Sequence, residues 1–571
     1  MNQKRDEFLL EATMTGRCSE VGSTMLSICR GECWVLRDEL ERSRARLPAS
    51  RKRHIKMTQR ELRPPEARNS KHLLRLFVLV VVGMQLSVAA ANPQVSVVDV
   101  GSRAQLFVDQ ELVYESRGVS FTLHQARKVS PEPLVRADQP CEGPFLNAFG
   151  TVIYDADEEL FKMWYDGAPS EYFDGIFTYY ATSRDGIAWD KSHTGTIESL
   201  NGKPHNAVAK CMCPSVMKDP HDPDPARRYK MVCYVLDRGY CSMMSPDGRH
   251  WKFTSDGQIL PISYVDDVIT ACWSDPHQRF VAFAKQTTPV MGRARRTIWT
   301  STSHDFDHWS AVRPALVADR RDDLGSRIRA EKVRPLLDFP DNYYVMRTEV
   351  YGTGAYSAES CLIAFPWMFT ATMNVPKFGN QEGPIEVQLA TTRDLVHWSR
   401  PFRTPIIEMG KPGEFDSGMI ITFAAAFDRG DEVWLYYHGS DRTHGAPGLP
   451  DYDPKQNNSG IGLATWKKDR FVSADGSASG AELTTVPIQF SARRLELNAN
   501  VKEGGSITVE LLDMSLNRLA EWPKSTPLTG DSLRHVVTFG EHDDVSELAD
   551  QPIVLRFHLR DAELYSYAFR E

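Results

Sequence analysis

A seven-residue pattern that recurs four times constrains this chain more than any other feature of its sequence. A Ser or Thr is followed by any residue, an Asp, three further residues and a Trp, and the copies lie at 183–189, 245–251, 303–309 and 392–398. The chain holds only 12 Trp residues, so four copies indicate a repeated structural unit. An Asp there can accept from the backbone N–H groups just ahead, while the Trp folds back as an apolar plug. The pattern therefore predicts a structural hairpin turn used once per repeat, not a catalytic Asp.

A second pattern runs ahead of the first and divides the chain into five repeat units. Each unit has a predicted turn containing Asp, then a strand of alternating aromatic residues. The turn residues are Asp155, Asp219, Asp275, Asp338 and Asp428, and the strands are 161–165, 229–233, 280–283, 343–346 and 433–437. The spacing of 56 to 90 residues leaves room for about four strands per unit. The sequence thus predicts an all-β fold whose main body, residues 136–474, is a five-bladed β-propeller; a linear solenoid would have a shorter period.

The sequence changes character on both sides of the repeats. Residues 92–135 are predicted to hold lead-in strands, at 106–109 and 112–114, that close the ring. A stretch rich in Gly and Ser at 475–480 is interpreted as a linker that a protease should cut. The strands after it lack the pattern of the repeats, so residues 481–571 are predicted to form a separate small β-sandwich domain.

Residues 71–91 have the order of a secretory signal peptide. Positive charge at 71–75 is followed by an apolar run at 76–86 and by three alanines ending at Ala91. We therefore expect export, to the periplasm or outside the cell, with no membrane attachment after cleavage. The 70 residues ahead of this segment are interpreted as a non-globular or misassigned leader, with Met57 as the true start.

The charge and the cysteines limit the partners and cofactors of the chain. A formal net charge of -8 gives no basic field to hold nucleic acid. The seven cysteines after residue 91 are an odd number without the spacing of a disulfide framework, which favours buried free thiols with at most one disulfide. Cys211 and Cys213 are too close for a usual zinc pair. The sequence predicts neither a metal site nor a cofactor, and it leaves open a cation on the propeller axis.

The five units and their turn resemble the five-bladed glycoside hydrolases and phosphorylases, such as glycoside hydrolase families 32, 43 and 130, over about residues 95 to 470. The segment 435–441, Leu-Tyr-Tyr-His-Gly-Ser-Asp, followed by 461–464, resembles the closing blade of the family 130 group. The resemblance implies an enzyme that acts on a carbohydrate, by hydrolysis or by phosphorolysis. The nucleophile motif Trp-Met-Asn-Asp-Pro-Asn-Gly and the Arg-Asp-Pro triplet of family 32 are missing from this chain, so the mechanism of that family is not implied.

In such a propeller the residues just before each innermost strand should line the axis, and in this chain they are rich in acids. Glycoside cleavage needs two carboxyl groups, one to protonate the leaving oxygen and one to attack or to activate water. The predicted catalytic residues are Glu142 as base or nucleophile and Glu331 as acid, tuned by Asp267 and Asp416. The predicted substrate-binding residues are Asn147, Asn206, Asp266, Arg329, Lys332, Arg334 and His444.

The adjacent pair Asp266 and Asp267 is the most specific signal, because it opens an otherwise apolar strand. Successive strand residues face opposite sides, so we expect Asp267 to face the axis and Asp266 to pack against a loop. Two other functions stay open at this point: a carbohydrate-binding propeller without catalysis, and an extracellular scaffold for interactions. The separation of the carboxyl groups in the pocket would discriminate between them.

Overall fold

The all-β class expected from the sequence is confirmed. The structure, a computed structural model, describes residues 96–144, 146–168, 175–192, 194–198, 204–255, 257–262, 265–375 and 380–571. The leader and the signal peptide predicted at 1–70 and 71–91 lie outside these residues. Within the described ranges no helix is both long enough and apolar enough to cross a membrane. Five short strands precede the repeats: β1 (Val98–Gly101), β2 (Gln105–Leu106), β3 (Val113–Arg117), β4 (Val119–Leu123) and β5 (Arg127–Lys128).

The first three repeat units form three separate four-stranded antiparallel sheets, each with its strands in chain order. Unit one contains β6 (Leu146–Asp155), β7 (Leu160–Gly167), β8 (Phe177–Ser183) and β9 (Ala207–Ala209). Unit two contains β10 (Met212–Lys218), β11 (Tyr229–Val235), β12 (Gly239–Ser245) and β13 (Lys252–Phe253). Unit three contains β14 (Ile269–Ser274), β15 (Arg279–Val290), β16 (Arg293–Ser303) and β17 (Arg313–Leu316).

Unit four departs from the predicted strands, because a helix precedes it. The helix α1 (Arg320–Lys332) starts at Asp319, whose carboxylate caps the first turn while Asp322 reciprocates in a capping box. The strands are β18 (Arg347–Ser357), β19 (Leu362–Ala371), β20 (Met373–Asn374), β21 (Gln381–Glu382), β22 (Ile385–Val387) and β23 (Ala390–Thr392). The prediction of a strand at 343–346 is wrong: these residues lie in turns before β18, the first strand of the unit.

Unit five is completed by a strand from the other end of the chain. It contains β24 (Met419–Thr422), β25 (Phe427–Arg429), β26 (Glu432–Ser440) and β27 (Ser459–Lys467). The outer neighbour of β27 is β5, through Ala464↔Lys128 and Thr465↔Arg127. The parallel pairing Ile385↔Met419 joins units four and five in one sheet, and an isolated parallel bridge, Ala355↔Ala425, also connects them.

The first strands of the five units are neighbours in a closed series. Strand β6 lies beside β10, β10 beside β14, β14 beside β18, β18 beside β24, and β24 beside β6. The residues at the beginnings of these strands therefore meet at one place in the molecule, which fixes where a site shared by all five units can lie.

The C-terminal strands form a sheet together with the N-terminal ones. They are β28 (Val472–Gly476), β29 (Ala481–Thr485), β30 (Ile488–Phe490), β31 (Arg494–Leu512), β32 (Gly530–Val536) and β33 (Val554–Arg570). Strand β4 pairs with β28, β3 with β29, and β2 with β33 in this sheet, while β1 and β30 form a separate two-stranded parallel sheet. The lead-in strands expected to close the ring lie in this sheet instead, and β5 takes that place.

The segment 475–480 is not an extended linker. Asp475 and Gly476 belong to β28, paired on both sides with β4 and β33, and Gly480 closes a turn onto Ser477. Small residues serve here for close approach, because a Cβ on Gly476 would lie 2.5 Å from the Leu559 side chain. The stretch was misread because a Gly- and Ser-rich turn and a flexible linker have the same composition.

The predicted structural role of the repeated turn is confirmed. In unit two, Asp247 accepts from the N–H groups of Arg249 and His250, each at 2.9 Å, and from the Ser245 hydroxyl at 3.0 Å. The other three copies make the same bonds around Asp185, Asp305 and Asp394. These bonds lower the pKa of Asp247 against the effect of partial burial. These carboxylates accept hydrogen bonds from the backbone of their own turn and are not available for catalysis.

Candidate active site

One cavity of about 810 Å³ lies where the first strands of the five units meet. We call it the central cavity. The apolar part of its lining comes from units one, two and five: Leu146, Ala148, Phe149, Ile176, Met212, Met419 and Ile421. The charged and polar part comes mainly from units three, four and five: Asp266, Asp267, Lys285, Arg296, Arg347, Glu349, Asn380, Gln381, Arg442 and His444. A recess that combines apolar lining with a few convergent polar groups is the usual form of a small-molecule site.

Two adjacent carboxylates and one lysine form the centre of the polar part of the lining. The Lys285 ammonium ion-pairs with Asp267, and Asp266 Oδ1 lies 3.3 Å from the same Nζ. Lys285 is buried, and its Nζ sits 4.2 Å from the centroid of the Tyr351 ring. The Asp267 side chain is 50% exposed and that of Asp266 only 16%, so Asp267 is the one that offers its oxygens to the cavity.

The surroundings drive the pKa values of the two carboxyl groups apart. Burial raises the pKa of Asp266, and the negative charge of Asp267 adds to that effect against the attraction of Lys285. Burial also opposes ionisation of Asp267, but the Lys285 ammonium outweighs it and holds the pKa of Asp267 below its usual range. A pair of carboxyl groups divided in this way can keep one member ionised while the other holds a proton.

The expectation that Asp266 and Asp267 point in opposite directions is wrong. Both side chains contact Lys285, and both line the central cavity. Alternation of facing sides is a property of strands, and β14 begins only at Ile269. The pair lies in the preceding loop, where the Asp267 N–H donates to Asp266 Oδ1 at 2.9 Å.

A third acid, Glu349, is enclosed by arginines. Its carboxylate accepts from Arg296 Nη1 at 2.7 Å and lies 2.6 Å from Arg347 Nη2. Arg296 also donates to Gln381 Oε1 at 2.6 Å and to Asn380 Oδ1 at 3.1 Å. Glu349 is 2% exposed, so it orients the arginine fork and presents little of itself to a ligand.

Besides Asp266, two predicted binding residues, His444 and Asn147, line the central cavity. His444 Nδ1 lies 2.9 Å from the Gln381 carbonyl oxygen, to which it donates, and its ring packs edge-on against Tyr351 at 4.6 Å. Burial, aided by the Arg296 charge, lowers the pKa of His444 to about 3, so the ring is neutral at ordinary pH and its Nε2 is an acceptor. The buried Nδ2 of Asn147 has no hydrogen-bond partner among the described residues, which leaves a donor for a ligand.

Three other predicted residues lie outside the cavity lining, in buried networks. Glu142 accepts from the Asp138 and Gln139 N–H groups, each at 2.9 Å, and from the Tyr165 hydroxyl at 2.5 Å, and it pairs with Lys191. It is completely buried. A carboxylate so fully satisfied holds the loop before β6 in place, and its predicted position on the axis is wrong.

Asp416 and Asn206 have comparable structural surroundings. Asp416 is 2% exposed, pairs with Lys128 of β5 at 2.6 Å and accepts from the Tyr437 hydroxyl at 2.9 Å. Asn206 donates to the Tyr165 hydroxyl and to the Tyr180 carbonyl. It precedes β9, the outer strand of unit one, whereas the first strand of unit two is β10. The assignment of Asn206 to the axis in unit two is therefore wrong, because the strand that follows Asn206 belongs to unit one.

The four residues predicted for unit four lie on or just after α1, outside the cavity lining. Glu331 is exposed and pairs with Arg334 at 3.1 Å, and Lys332 pairs with Glu408 at 3.0 Å. Arg329 is buried and donates to the Thr370 hydroxyl at 2.8 Å. The sequence prediction places these residues just before an inner strand, but a capped helix with Arg, Ala, Glu and Lys, all good helix formers, occupies the segment.

The sequence prediction missed Lys285, Arg296, Glu349 and Tyr351. A detectable signal existed for Lys285, which ends the apolar run Phe280-Val281-Ala282-Phe283-Ala284 in the middle of a strand, where an unpaired charge would be costly. Among the described residues no three His, Cys, Asp or Glu side chains lie together as a metal site would require. The seven cysteines of the described ranges are buried free thiols.

The comparisons with known proteins give a likeness of overall structure alone. No family model and no curated protein matches the sequence. A glycosyl hydrolase from Bacteroides ovatus is 11% identical, with 62% of this chain and 97% of that chain covered, at a TM-score of 0.37. A beta-fructofuranosidase from Schwanniomyces occidentalis, complexed with fructosyl-erythritol, is 12% identical over 81% of this chain and 98% of its own, at a TM-score of 0.35.

A third solved structure comes from work on the family 130 mannoside phosphorylases and on hydrolases of β-1,2 mannosidic linkages in Candida mannan. It is 11% identical, with 62% of this chain and 97% of its own covered, at a TM-score of 0.34. The resemblance expected from the repeats is thus matched by glycosidase structures of this kind, with the family unassigned. At these identities and TM-scores the likeness decides nothing about the reaction, and the proposal below rests on the central cavity.

Proposed function

We propose that this protein is an exported enzyme that cleaves glycosidic bonds of an oligosaccharide or polysaccharide in the central cavity. The observation that carries the proposal is the pair Asp266 and Asp267, whose pKa values are driven apart where all five units meet. Glycoside cleavage needs one carboxylic acid and one carboxylate on the same bond. In this proposal Asp267, held ionised by Lys285, attacks the anomeric carbon or activates water, and Asp266 supplies the proton to the leaving oxygen.

The apolar and the polar parts of the cavity lining fit a sugar ring in complementary ways. The C–H face of a ring can lie against the apolar part, which includes Phe149 and Met212, while its hydroxyl groups meet the polar part. The Asn147 amide would donate to one hydroxyl and the neutral His444 would accept from another. Lys285 holds the Asp267 carboxylate ionised and in place, because its ammonium is already fixed and desolvated before a substrate arrives.

Phosphorolysis is a second candidate, and one observation favours it. Four cations, Lys285, Arg296, Arg347 and Arg442, belong to the same polar part of the lining, and the buried Nε atoms of Arg347 and Arg442 have no hydrogen-bond partner among the described residues. A phosphorylase takes its nucleophile from inorganic phosphate, so a single carboxylic acid suffices and cations are needed to hold the anion. In that case Asp266 or Asp267 alone would protonate the leaving oxygen.

The finer architecture belongs to the same proposal. The closed series of first strands, and the completion of unit five by β5, support five blades around the central cavity. The C-terminal strands would form a sandwich-like module that shares strands with the N-terminal segment. Export rests on the residue order at 71–91, and N-terminal sequencing of the isolated protein, with Gln or Asn near residue 92 as its start, would test it.

The deciding experiment is a screen of the purified protein on a panel of oligosaccharides and polysaccharides, each with and without phosphate. Release of reducing ends independent of phosphate indicates hydrolysis, whereas strict dependence on phosphate with formation of a sugar phosphate indicates phosphorolysis. Binding without turnover on every substrate would refute the enzyme and leave a carbohydrate-binding propeller, and neither binding nor turnover would favour a scaffold.

A further inference from the structure

The outer side of the helix α1 carries two apolar side chains among charged ones. Leu324 and Ile328, one turn apart, are 70% and 66% exposed, and the other exposed residues of the helix are Arg320, Arg321, Arg327, Glu331 and Lys332. Asp322 and Arg329 are buried on the inner side, where Arg400 holds Asp322 at 2.8 Å. A surface helix ordinarily turns its apolar residues inward, so two exposed ones on the same side form a candidate contact surface.

A cleft of about 460 Å³ lies beside this exposed side. We call it the α1 cleft. It is bounded by α1 and by the turns that follow it, with Ile328, Pro340, Tyr343 and Met346 as its apolar lining. The rings of Phe339 and Tyr344, 58% and 90% exposed, follow in the same turns. Aromatic rings at this exposure give large, rigid contact surfaces.

The polar groups of the α1 cleft are planar and paired with one another. Arg334 donates to Asp341 Oδ2 at 2.6 Å and to Glu331 Oε2 at 3.1 Å, and the Tyr343 hydroxyl donates to Asp341 Oδ1 at 3.0 Å. The Arg327 guanidinium lies 4.7 Å from the Tyr343 ring centroid. Fixed, mutually compensated donors and acceptors beside an aromatic ring suit a neutral ligand that carries many hydroxyl groups on an apolar frame, which describes a sugar chain.

The α1 cleft adjoins the central cavity. The central cavity is lined by residues at the beginnings of first strands, and α1 with its cleft occupies the connection into the first strand of unit four, β18. Met346 lines the cleft, and the next residue along the chain, Arg347, lines the central cavity. Consecutive residues of one backbone segment thus line the two recesses.

We propose that the α1 cleft is a second carbohydrate-binding site, which holds a distal stretch of a neutral polysaccharide while another part of the same chain occupies the central cavity. This inference deepens the proposed function and rests on it for the identity of the polymer. It assigns to Tyr343 the stacking of a sugar ring, and to Arg334, Asp341 and Glu331 the hydrogen bonds to its hydroxyl groups.

The test measures binding without turnover. In the full-length Asp267→Asn protein, Tyr343→Ala is compared with Tyr114→Ala, an exposed tyrosine of β3, 62% exposed and far along the chain from the α1 cleft. Affinity electrophoresis in gels that contain galactomannan, xylan, mixed-linkage glucan, yeast mannan or arabinan gives the dissociation constant for each polymer. We expect Tyr343→Ala to weaken binding of the recognised polymer about tenfold, and Tyr114→Ala to leave it unchanged.

Disaccharides and trisaccharides of the same sugar, too short to reach both recesses, should bind equally to all three proteins. If the wild type shows no glycosidase activity but polymer binding still depends on Tyr343, the second binding site is supported and the proposed function is refuted. Equal polymer binding by the Tyr343 and Tyr114 variants, or no binding of any polymer, would overturn the second site whatever the activity of the wild type. Concentration-dependent dimerisation abolished by Tyr343→Ala would also overturn it, because the surface would then be an interface between copies.

Discussion

Replacing Asp267 by Asn tests the proposed role of the Asp267 carboxylate as the nucleophile or the base. The substitution keeps the shape of the side chain and removes its charge. Asp266, whose pKa the Asp267 charge helps to raise, can then ionise beside Lys285 at 3.3 Å. Breaking a fully buried ion pair costs about 3–5 kcal/mol, but the Asp267 side chain is half-exposed to the cavity and the lysine is not left alone. We therefore expect the free energy of unfolding to fall by only about 1–2 kcal/mol.

The effect on activity should be larger than the effect on stability. Loss of a carboxylate that acts on the reacting atoms costs a hundredfold or more in kcat, equivalent to about 2.7 kcal/mol of transition-state stabilisation. Asp266→Asn should behave differently, because a missing proton donor matters only when the leaving group needs a proton. An aryl glycoside with nitrophenolate as leaving group should remain a substrate of Asp266→Asn, while a natural oligosaccharide should not.

The assay is kcat/KM for the oligosaccharide and for the aryl glycoside in both variants, with chemical denaturation to show that each is folded. Asp531→Asn is the matched control, since Asp531 is 40% exposed and, like Asp267, pairs with a buried cation, Arg470 at 2.5 Å, beside Lys467 at 2.7 Å. It should lose a little stability and no activity. Unchanged turnover of both substrates by a folded Asp267→Asn protein would refute the reasoning, and equal losses in the two aspartate variants on both substrates would refute the division of roles.

Four further predictions follow from groups away from the central cavity. Glu142→Gln should lower the melting temperature by several degrees and leave kcat/KM of the folded protein within about twofold, because the carboxylate serves a buried network; a selective loss of kcat would contradict this. Burial raises the pKa of Glu382 to about 7, so the contribution of this group to stability is complete below about pH 4.5 and is lost as the pH rises through 7. The melting temperature of Glu382→Gln should therefore rise relative to that of the wild type as the pH increases from about 4.5 to 7. A constant difference between the two melting temperatures from pH 5 to 8.5 would argue against a buried protonated acid. Asp247→Ala should cost about 1–2 kcal/mol in denaturant unfolding through loss of the turn bonds, with activity unchanged. Limited proteolysis should leave the backbone at 474–486 intact, and a rapid cut there would restore the linker interpretation.

The strands were the most predictable part of this molecule. The alternating aromatic residues at 161–165, 229–233, 280–283 and 433–437 all lie in the strand that pairs directly with the first strand of their unit. Such a strand has both faces against neighbouring units: in β7, Phe161 stacks on Trp434 of unit five and Trp164 contacts Tyr229 of unit two. The turn motif was equally readable, since the Asp bonds to its own backbone. Local chemistry of this kind needs no knowledge of the rest of the fold.

The site was less predictable because it depends on which strand comes first in each unit. A helix in place of one predicted strand moved Glu331, Arg329, Lys332 and Arg334 outside the cavity lining, although the N-cap Asp319 signalled that helix. Asp267 was found because its charge opposed the apolar pattern around it. The charge of Glu142 stands out in the sequence to the same degree. Its ion partner Lys191 is 49 residues away, however, and the sequence does not show that the two residues pair.

The pairing of β5 with β27 has a consequence for how the chain reaches its final form. Arg127 and Lys128 find their partners more than three hundred residues later, and β2, β3 and β4 also take partners from beyond residue 470. During synthesis, nearly the whole polypeptide must therefore leave the ribosome before the first strands can pair with their partners. Contacts of such long sequence separation slow folding, and unpaired edges stay available to wrong partners meanwhile. Removing the N-terminal segment up to residue 128 would leave β27 without its outer partner, so that unit five would have an open edge. We expect the defect to appear first as aggregation during refolding.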